Sequence, residues 1–352
     1  MKLLVINPGS TSTKIGVYTD EVPVFDKTLR HESGELSGFQ KITDQHEFRK
    51  GVILKSLAQA GIGINELDAV VGRGGLVKPL EGGTYFVNDA MIRDLRLGVQ
   101  GEHASNLGGL IAHEIATEIK KPAFVVDPVV VDEMDPVSRI SGHPWIERKS
   151  IFHALNQKAI ARQYCKDTGK SYFDSTLIVA HMGGGISVGI HHKGHVIDVN
   201  NALSGEGPFS PERSGALPVG DLTDLCFGGK TKQEIKKAIT GQGGMVAYFG
   251  SNDMMEIEEK AKTDERAALV LEAMIYQIAK EIAAVSVAVC GNVEAVLLTG
   301  GLAYSKRITD GVSKRVSFIS KVSVYPGEHE LLALVQGALR VLHGEEEGKE
   351  YK

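Results

Sequence analysis

The sequence predicts an α/β protein of two domains with a duplicated βββαβαβα core, each domain built on a mixed sheet. A strand–turn–strand pattern covers residues 3–18, and it recurs with a third strand at residues 176–199. Segments with apolar residues at helical spacing follow each pattern. The chain has 352 residues, of which 42% are hydrophobic, and this is enough for two substantial cores. Two such units facing one another would enclose a cleft, where small-molecule sites are common.

Composition excludes several classes of protein. The net charge of −5 argues against a nucleic-acid partner, because phosphate backbones need clustered lysine and arginine. The N-terminus has too few apolar residues for a signal peptide, and no apolar run reaches the length of a membrane span. The three cysteines, Cys165, Cys226 and Cys290, are far apart and predict reduced residues in or near the core. We therefore expect a cytoplasmic protein that binds neither nucleic acid nor membrane.

The first turn carries an unusual number of hydrogen-bond donors. Asn7, Ser10, Ser12 and Lys14 surround Gly9, which allows close approach of the backbone. Such a turn can offer amide and hydroxyl donors to an anion, and lysine adds a charge suited to phosphate. An ordinary polar hairpin turn is the alternative. Neither a P-loop nor a dinucleotide-binding glycine motif is present.

The rest of the first half predicts alternating helices and strands. Residues 44–61 form a helix, and a short strand at 68–71 enters a glycine turn that holds Arg73. This arginine is either solvated or placed to bind a carboxylate or phosphate. A helix over 103–121 starts at His103, and a strand at 123–126 ends at Asp127. Such an acid is either a turn residue or a ligand-binding group.

The second half repeats the opening pattern. A helix from about 149 to 167 has His153 in its first turn, where a cap or core residue is the alternative. Strands at 176–181 and 186–190 flank a glycine turn that His181 precedes. Three histidines at 191–195 are expected to be solvated hairpin residues, with a metal site as the less favoured interpretation.

The part of the chain after residue 199 begins with a loop over 200–220 that contains Arg213 and is either surface or the wall of an active site. A long helix follows over 263–289 with Thr263 as its N-cap, and a buried strand at 295–298 leads into Gly300 and Gly301. A final amphipathic helix spans 331–342.

Seven motifs in order resemble the acetate and butyrate kinase family, within the actin, sugar kinase and Hsp70 superfamily. They are NPGSTSTK, VVGRGG, VVDP, SIFHALN, AHMGGGIS, PERSG and LLTGGLA. The resemblance runs from residue 3 to about 342, and the length and motif spelling are nearest the butyrate branch. It implies two actin-like (ribonuclease H-like) domains, at 1–148 with the C-terminal segment 328–352, and at 149–327. A homodimer or larger homo-oligomer is also implied.

The implied reaction is transfer of a phosphoryl group from ATP to butyrate, giving an acyl phosphate and ADP, with Mg²⁺ as cofactor. The alternatives are an acetate, propionate or branched-chain carboxylate kinase and, from another class, a non-catalytic nucleotide-dependent switch. The residues agree with a carboxylate kinase, because an ionised carboxylate needs no general base and two anions need cations and donors to align them. Acetate kinases have two valines where this chain has Gly74 and Gly75, so we expect added room here for a longer acyl chain.

The resemblance also implies roles for single residues. Arg73 would hold the substrate carboxylate, while Arg213 and His153 would stabilise the transferring phosphoryl group. Asp127 would orient an arginine or bind Mg²⁺ through water, with Glu330, or alternatively Glu328, as the metal-linked glutamate. The implied binding positions for phosphate or substrate are Asn7, Ser10, Ser12, Lys14, His103, His181, Gly183 and Gly184, and those for nucleotide are Gly300 and Gly301.

Overall fold

The computed structural model describes residues 1–352, with the side chain of Ser33 left aside. The chain forms two compact units, one of residues 1–131 with 329–352 and the other of residues 132–328. The domain limits inferred from the sequence, after residues 148 and 327, stay a proposal. No helix in the described part of the chain is long and apolar enough to cross a membrane.

The first unit is built on one mixed sheet with the strand order β12-β5-β6-β4-β1-β2-β3. Its strands are β1 (Lys2–Pro8), β2 (Ser12–Thr19), β3 (Val22–Arg30), β4 (Ala69–Arg73), β5 (Thr84–Phe86), β6 (Ala123–Val126) and β12 (Lys349–Glu350). The first three form an antiparallel meander, and β4 lies parallel to both β1 and β6. The strand at the chain's end pairs with β5, so residues of both termini share this sheet.

The described part of the first unit has five α-helices, of which the fourth and the fifth in chain order pack directly on the sheet. They are α1 (Ser33–Leu36), α2 (His46–Gln59), α3 (Asp89–Leu97), α4 (Asn106–Glu118) and α13 (Glu330–Leu342). The buried residues Leu107, Leu110, Ile111 and Ile115 of α4 recur every three or four positions, which is the spacing of one helix face. This face and the inner residues of β1, β4 and β6 form the core.

The second unit has a five-stranded sheet with the order β11-β10-β7-β8-β9. Its strands are β7 (Thr176–Met182), β8 (Ile186–His192), β9 (His195–Val199), β10 (Ala295–Gly300) and β11 (Val322–Pro326). Its helices are α5 (Pro136–Arg139), α6 (Ala154–Thr168), α7 (Val219–Phe227), α8 (Lys232–Ile239), α9 (Gly244–Phe249), α10 (Met254–Lys260), α11 (Glu265–Ser286) and α12 (Lys306–Val316). The β7–β8–β9 meander repeats the β1–β2–β3 meander of the first unit.

Three helices begin later than the sequence pattern predicts. The α4 helix starts at Asn106 and α6 at Ala154, so His103 and His153 precede their helices. The long helix α11 is capped by Asp264, whose side chain accepts a hydrogen bond from the Ala267 amide at 3.0 Å, and not by Thr263. An aspartate one position later is at least as good a cap as threonine, and apolar periodicity alone does not choose between them.

The cysteine prediction is right for one residue and wrong for two. Cys165 is buried, and burial raises the pKa of its thiol. Cys226 and Cys290 are exposed, at the end of α7 and just beyond α11. Residues at or just beyond the end of a helix often contact solvent even when they are apolar. Composition therefore could not predict that these two cysteines are exposed.

Candidate active site

The turn between β1 and β2 is a tight hairpin tip with exposed donors. Asn7 is paired with Lys14 in the register, and the Gly9 amide donates to the Ser12 carbonyl at 2.7 Å. Ser10 and Lys14 are exposed, and Ser12 is half-buried. The predicted donors therefore lie together at one edge of the first unit's sheet, in an arrangement that suits an anion.

Arg49 of α2 holds this tip from behind and was missed by the sequence analysis. Its side chain is fully buried, and its guanidinium donates to the carbonyls of Gly9, Ser10 and Ser12 at 2.8 to 3.0 Å. Burial lowers the pKa of this arginine, although arginine stays charged in proteins. With three carbonyls turned towards Arg49, the tip presents fewer acceptors to an approaching anion. The sequence did contain a signal for this burial, because Arg49 lies four positions before Ile53 and therefore on the same buried face of the helix.

Replacing Arg49 with methionine should destabilise the protein by about 3 kcal/mol or more, because several charge-assisted hydrogen bonds are lost and carbonyls are left unpaired. Urea unfolding measures this loss. Lys55→Met is the matched control, since Lys55 is an exposed cation on the same helix and should change stability by less than about 0.5 kcal/mol. Equal losses in the two variants would contradict the role given to Arg49.

Arg73 ends β4 with its guanidinium against a carboxylate. The partner is Oε1 of Glu330, the first residue of α13, while Oε2 of the same carboxylate accepts from Asn7 Nδ2 at 2.5 Å. Both side chains of the ion pair are about four-fifths buried. The planar fork of Arg73 is thus positioned to bind a carboxylate, here one that the chain itself supplies. Glu330 could offer an oxygen to a metal only by giving up Arg73 or Asn7.

Gly74 and Gly75 do not open the space that the sequence analysis expected. A side chain at Gly74 would collide with Pro128 and Val125, and one at Gly75 would collide with Asn106. Glycine here lets the backbone after β4 pack closely against the neighbouring loop and the start of α4. The prediction of added acyl room is therefore wrong, because the volume is already filled by the protein.

Asp127 and His103 lie in the loops that follow β6 and precede α4. Asp127 is buried with a positive φ of 38°, and its Oδ1 accepts from the Gly83 amide at 2.7 Å. His103 is exposed, and its Nδ1 lies 2.8 Å from Ser105 Oγ. The buried carboxylate is held by the segment just before β5, whereas the histidine lies at the surface.

Two histidines stack in the second unit. The rings of His153, just before α6, and His181, on β7, lie 4.1 Å apart at an angle of 25°. His181 Nε2 is 3.2 Å from Oε1 of Glu328, and His153 Nδ1 is 2.8 Å from Ser187 Oγ. The buried Nδ1 of His181 has no hydrogen-bond partner. Such a pair brings imidazole donors to the glycine turn between β7 and β8.

Arg213 reaches the same glycine turn from the loop before α7. Its guanidinium donates to the Ala202 carbonyl at 2.7 Å and covers Gly185, where any side chain would collide with it. Burial lowers the pKa of Arg213, and the neighbouring Glu212 opposes this shift. Ser210, a second residue that the sequence analysis missed, donates to the Gly184 carbonyl at 2.6 Å and accepts from the Arg213 amide at 3.1 Å. Ser210 therefore joins the arginine to the glycine turn.

A cavity of about 1190 Å³ lies within the second unit beside this turn. Gly183, Gly184 and Gly301, three of the predicted binding positions, line it. Gly300 is not among the lining residues, since its backbone exchanges hydrogen bonds with Gly327 at 3.1 and 3.2 Å. Glu328, the alternative metal-linked glutamate, also lines the cavity, and further polar lining residues include Glu212, Asn252, Lys262, Lys306 and Arg307. The lining combines cations, carboxylates and glycines, and the volume suits a ligand as large as a nucleotide.

The histidines at 191–195 are not all solvated as predicted. His191 is fully buried, with its ring nitrogens 2.9 Å from the Tyr172 hydroxyl and 3.1 Å from Gln157 Oε1. Both faces of β8 are buried, and His192 is half-buried because it is the last residue of the strand. Among the described residues, the one cluster of three potential metal ligands is His46, Glu47 and Glu114, so these histidines form no such group.

Comparison with known proteins gives consistent matches. The model of the Acetokinase family matches residues 143–320. The chain is 58% identical to "Butyrate kinase 1" and 56% identical to "Butyrate kinase 2" of Clostridium acetobutylicum, over all of this chain and 99% of each relative. The crystal structure of Porphyromonas gingivalis acetate kinase has a TM-score of 0.78 at 21% identity, covering 97% of this chain and 99% of that one. The predicted pair of actin-like α/β domains is thus confirmed as the fold class.

Proposed function

Because this chain belongs to the acetokinase family, we propose that it transfers the γ-phosphoryl group of ATP to the carboxylate of butyrate, giving butyryl phosphate and ADP. The observation that carries the proposal is the 58% identity, over the full chain, to a relative named butyrate kinase. The choice of a four-carbon acid rests on that relative, and the glycines after Arg73 add nothing to it.

In the first unit, Arg73 would bind the carboxylate of the acid. Its contact with the Glu330 carboxylate supports this role, because the guanidinium already accommodates that chemical group. A substrate carboxylate could take the place of Glu330 on Arg73, while Asn7 continues to hold Glu330. Ser10, Ser12 and Lys14 would add donors for phosphate oxygens at the hairpin tip, and the exposed His103 could donate to the substrate.

In the second unit, Arg213, His153 and His181 would stabilise the phosphoryl group during transfer. The acid is already ionised at neutral pH, so the chain needs to move no proton from the nucleophile. The residues of the site would hold the acid and ATP in line and neutralise charge on the equatorial oxygens of the transferring phosphoryl group. Arginine is suited to this because its planar fork can donate two hydrogen bonds to one phosphoryl group.

The cavity in the second unit would hold the nucleotide, with Gly183, Gly184 and Gly301 next to it and Gly300 shaping the turn. A magnesium ion bound with ATP would neutralise charge on its phosphates. The chain's acidic groups fit an ion held mainly by phosphate and water, because Glu330 is already engaged by Arg73 and Asn7. Asp127 and Glu330, or alternatively Glu328, stay the predicted metal-linked residues.

A panel of acids tests this proposal. Purified protein with ATP, Mg²⁺ and hydroxylamine should yield trapped hydroxamate, with kcat/KM highest for butyrate and lower for acetate, propionate and isobutyrate. Reactions without acid are the control for hydrolysis of ATP. Acetate or isobutyrate as the best substrate would contradict the choice of acid. Intact ATP binding without hydroxamate for any acid would instead favour a nucleotide-dependent switch. The homodimer or larger homo-oligomer stays a prediction, which light scattering would test.

A further inference from the structure

A chain of buried hydrogen bonds lies behind His153 and is not used by the function proposed above. Its members, beyond His153 itself, are Ser187, Gln157, His191 and Tyr172, all of them buried. The distances are 2.8 Å from His153 Nδ1 to Ser187 Oγ and 2.8 Å from there to Gln157 Nε2. They are 3.1 Å from Gln157 Oε1 to His191 Nε2 and 2.9 Å from His191 Nδ1 to the Tyr172 hydroxyl.

A backbone carbonyl sets the orientation of the Gln157 side-chain amide, which lies in the middle of this series of hydrogen bonds. Gln157 Nε2 lies 3.0 Å from the carbonyl oxygen of Ser187, and a carbonyl can only accept. The amide nitrogen must therefore face Ser187, where it gives one hydrogen to the carbonyl and the other to the hydroxyl. The hydroxyl oxygen of Ser187 accepts that hydrogen and also faces the backbone N–H of His153 at 3.4 Å, so both of its lone pairs are used and its own hydrogen is left for His153 Nδ1.

The side-chain oxygen of Gln157 fixes the direction of the hydrogen bond to His191 in the same way. Its Oε1 accepts, so His191 Nε2 must carry a hydrogen. Burial lowers the pKa of His191 well below its usual value, and the nearby cations Lys158 and Arg162 lower it further. Glu133 is the carboxylate bound to Lys158, and it contacts that lysine at 2.9 Å. A neutral His191 with its hydrogen on Nε2 accepts at Nδ1, and the Tyr172 hydroxyl donates to it.

We propose that Gln157 and Ser187 are positioning residues that hold the ring of His153 as the tautomer with its hydrogen on Nε2. With Nδ1 occupied as an acceptor, the ring can only donate through Nε2, which is the atom that would meet an equatorial phosphoryl oxygen. This inference rests on the proposed function for the role of Nε2, but the tautomer itself does not depend on any reaction.

The packing around Gln157 leaves room for its side chain in this position. Gly189 on β8 leaves the room that Gln157 occupies, because a side chain there would come within 2.7 Å of Gln157 Oε1. An imidazolium at His153 would also have to donate to Ser187 Oγ, which already accepts from Gln157. The Ser187 hydrogen would then lack this acceptor, so the arrangement disfavours that form.

Nitrogen NMR of the unmodified protein tests the tautomer directly. The chain has 12 histidines, and comparison with a His153→Asn variant identifies the signals of His153 in histidine-¹⁵N-labelled protein. We expect Nε2 to be protonated and Nδ1 to be bare at neutral pH, in the absence of any substrate. A hydrogen on Nδ1 of His153, alone or in an imidazolium, would overturn the proposal.

Variants test its consequence for the reaction. Ser187→Ala should lower kcat about tenfold, which is less than the loss expected for a missing donor, and should leave both KM values within about twofold. Gln157→Met should do the same, and Ser187→Thr, which keeps the hydroxyl, should restore most of kcat. Thr176→Val is the matched control, because it removes a hydroxyl that lies 2.8 Å from His192, outside the chain of bonds.

The outcomes separate this inference from the proposed function. If the unmodified protein phosphorylates no acid but His153 has its hydrogen on Nε2, the function fails and the tautomer stands. If it is active and Ser187→Ala keeps the parent kcat, or loses no more than Thr176→Val, the positioning role is wrong. Loss of the folded state in Ser187→Ala leaves Gln157→Met and the NMR measurement to decide.

Discussion

Arg213→Ala should lower kcat by about 10³-fold or more, as expected for an arginine that stabilises a transferring phosphoryl group. The physical reason is that the guanidinium is fixed over the glycine turn by its hydrogen bond to the Ala202 carbonyl, so no other cation can take its place without moving. Initial rates at saturating ATP and butyrate measure the effect, while KM for butyrate should change little.

Two further variants make this result interpretable. Arg213→Lys keeps a positive charge but loses the planar fork, so it should recover only part of the rate. Arg315→Ala removes an arginine from α12 of the same unit, where it contacts Glu272 on the surface, and should leave kcat unchanged. If Arg213→Ala stayed folded and retained more than about a tenth of the parent kcat, the role of this residue would be refuted.

Arg73→Ala should reduce kcat/KM for butyrate by about 10²-fold or more, because a charge-assisted bidentate contact to the substrate carboxylate is lost. We expect most of the effect in KM for the acid and little in KM for ATP. The variant also removes the ion pair of Glu330, whose carboxylate then keeps only its hydrogen bond from Asn7 out of these two contacts. Thermal unfolding should therefore be measured alongside the kinetics.

Arg93→Ala provides the comparison, because Arg93 is an exposed arginine of the first unit that lies on α3. It should match the parent enzyme in both kinetic constants. A folded Arg73→Ala protein with an unchanged KM for butyrate would show that the carboxylate is bound elsewhere.

The fold was predictable because its signals are local. Alternating apolar runs and polar turns predicted both meanders, and helical spacing predicted α4, α11 and α13. The family and the fold class are confirmed by the comparisons. Helix starts were less predictable, as at His153, because the residues before a helix have no period and their conformation depends on tertiary contacts.

The parts of the candidate site that could not be predicted depend on which way a side chain points. Arg49 lies between lysine and phenylalanine in the sequence, and nothing local says that it enters the core behind the hairpin tip. His191 and His192 are neighbours with different surroundings, because both faces of β8 are buried up to His191 and the strand ends at the half-buried His192. Gly74 and Gly75 suggested free volume, but the residues that fill it come from distant segments.

The pairing of β12 with β5 and the packing of α13 against the first sheet have a consequence for biosynthesis. The second unit is one continuous stretch, residues 132–328, and every strand and helix it needs has been synthesised before residue 329 is added. The first unit contains residues 329–352, so its hydrophobic interior stays partly uncovered until these residues have been synthesised. The order of emergence from the ribosome therefore favours completion of the later-encoded unit first.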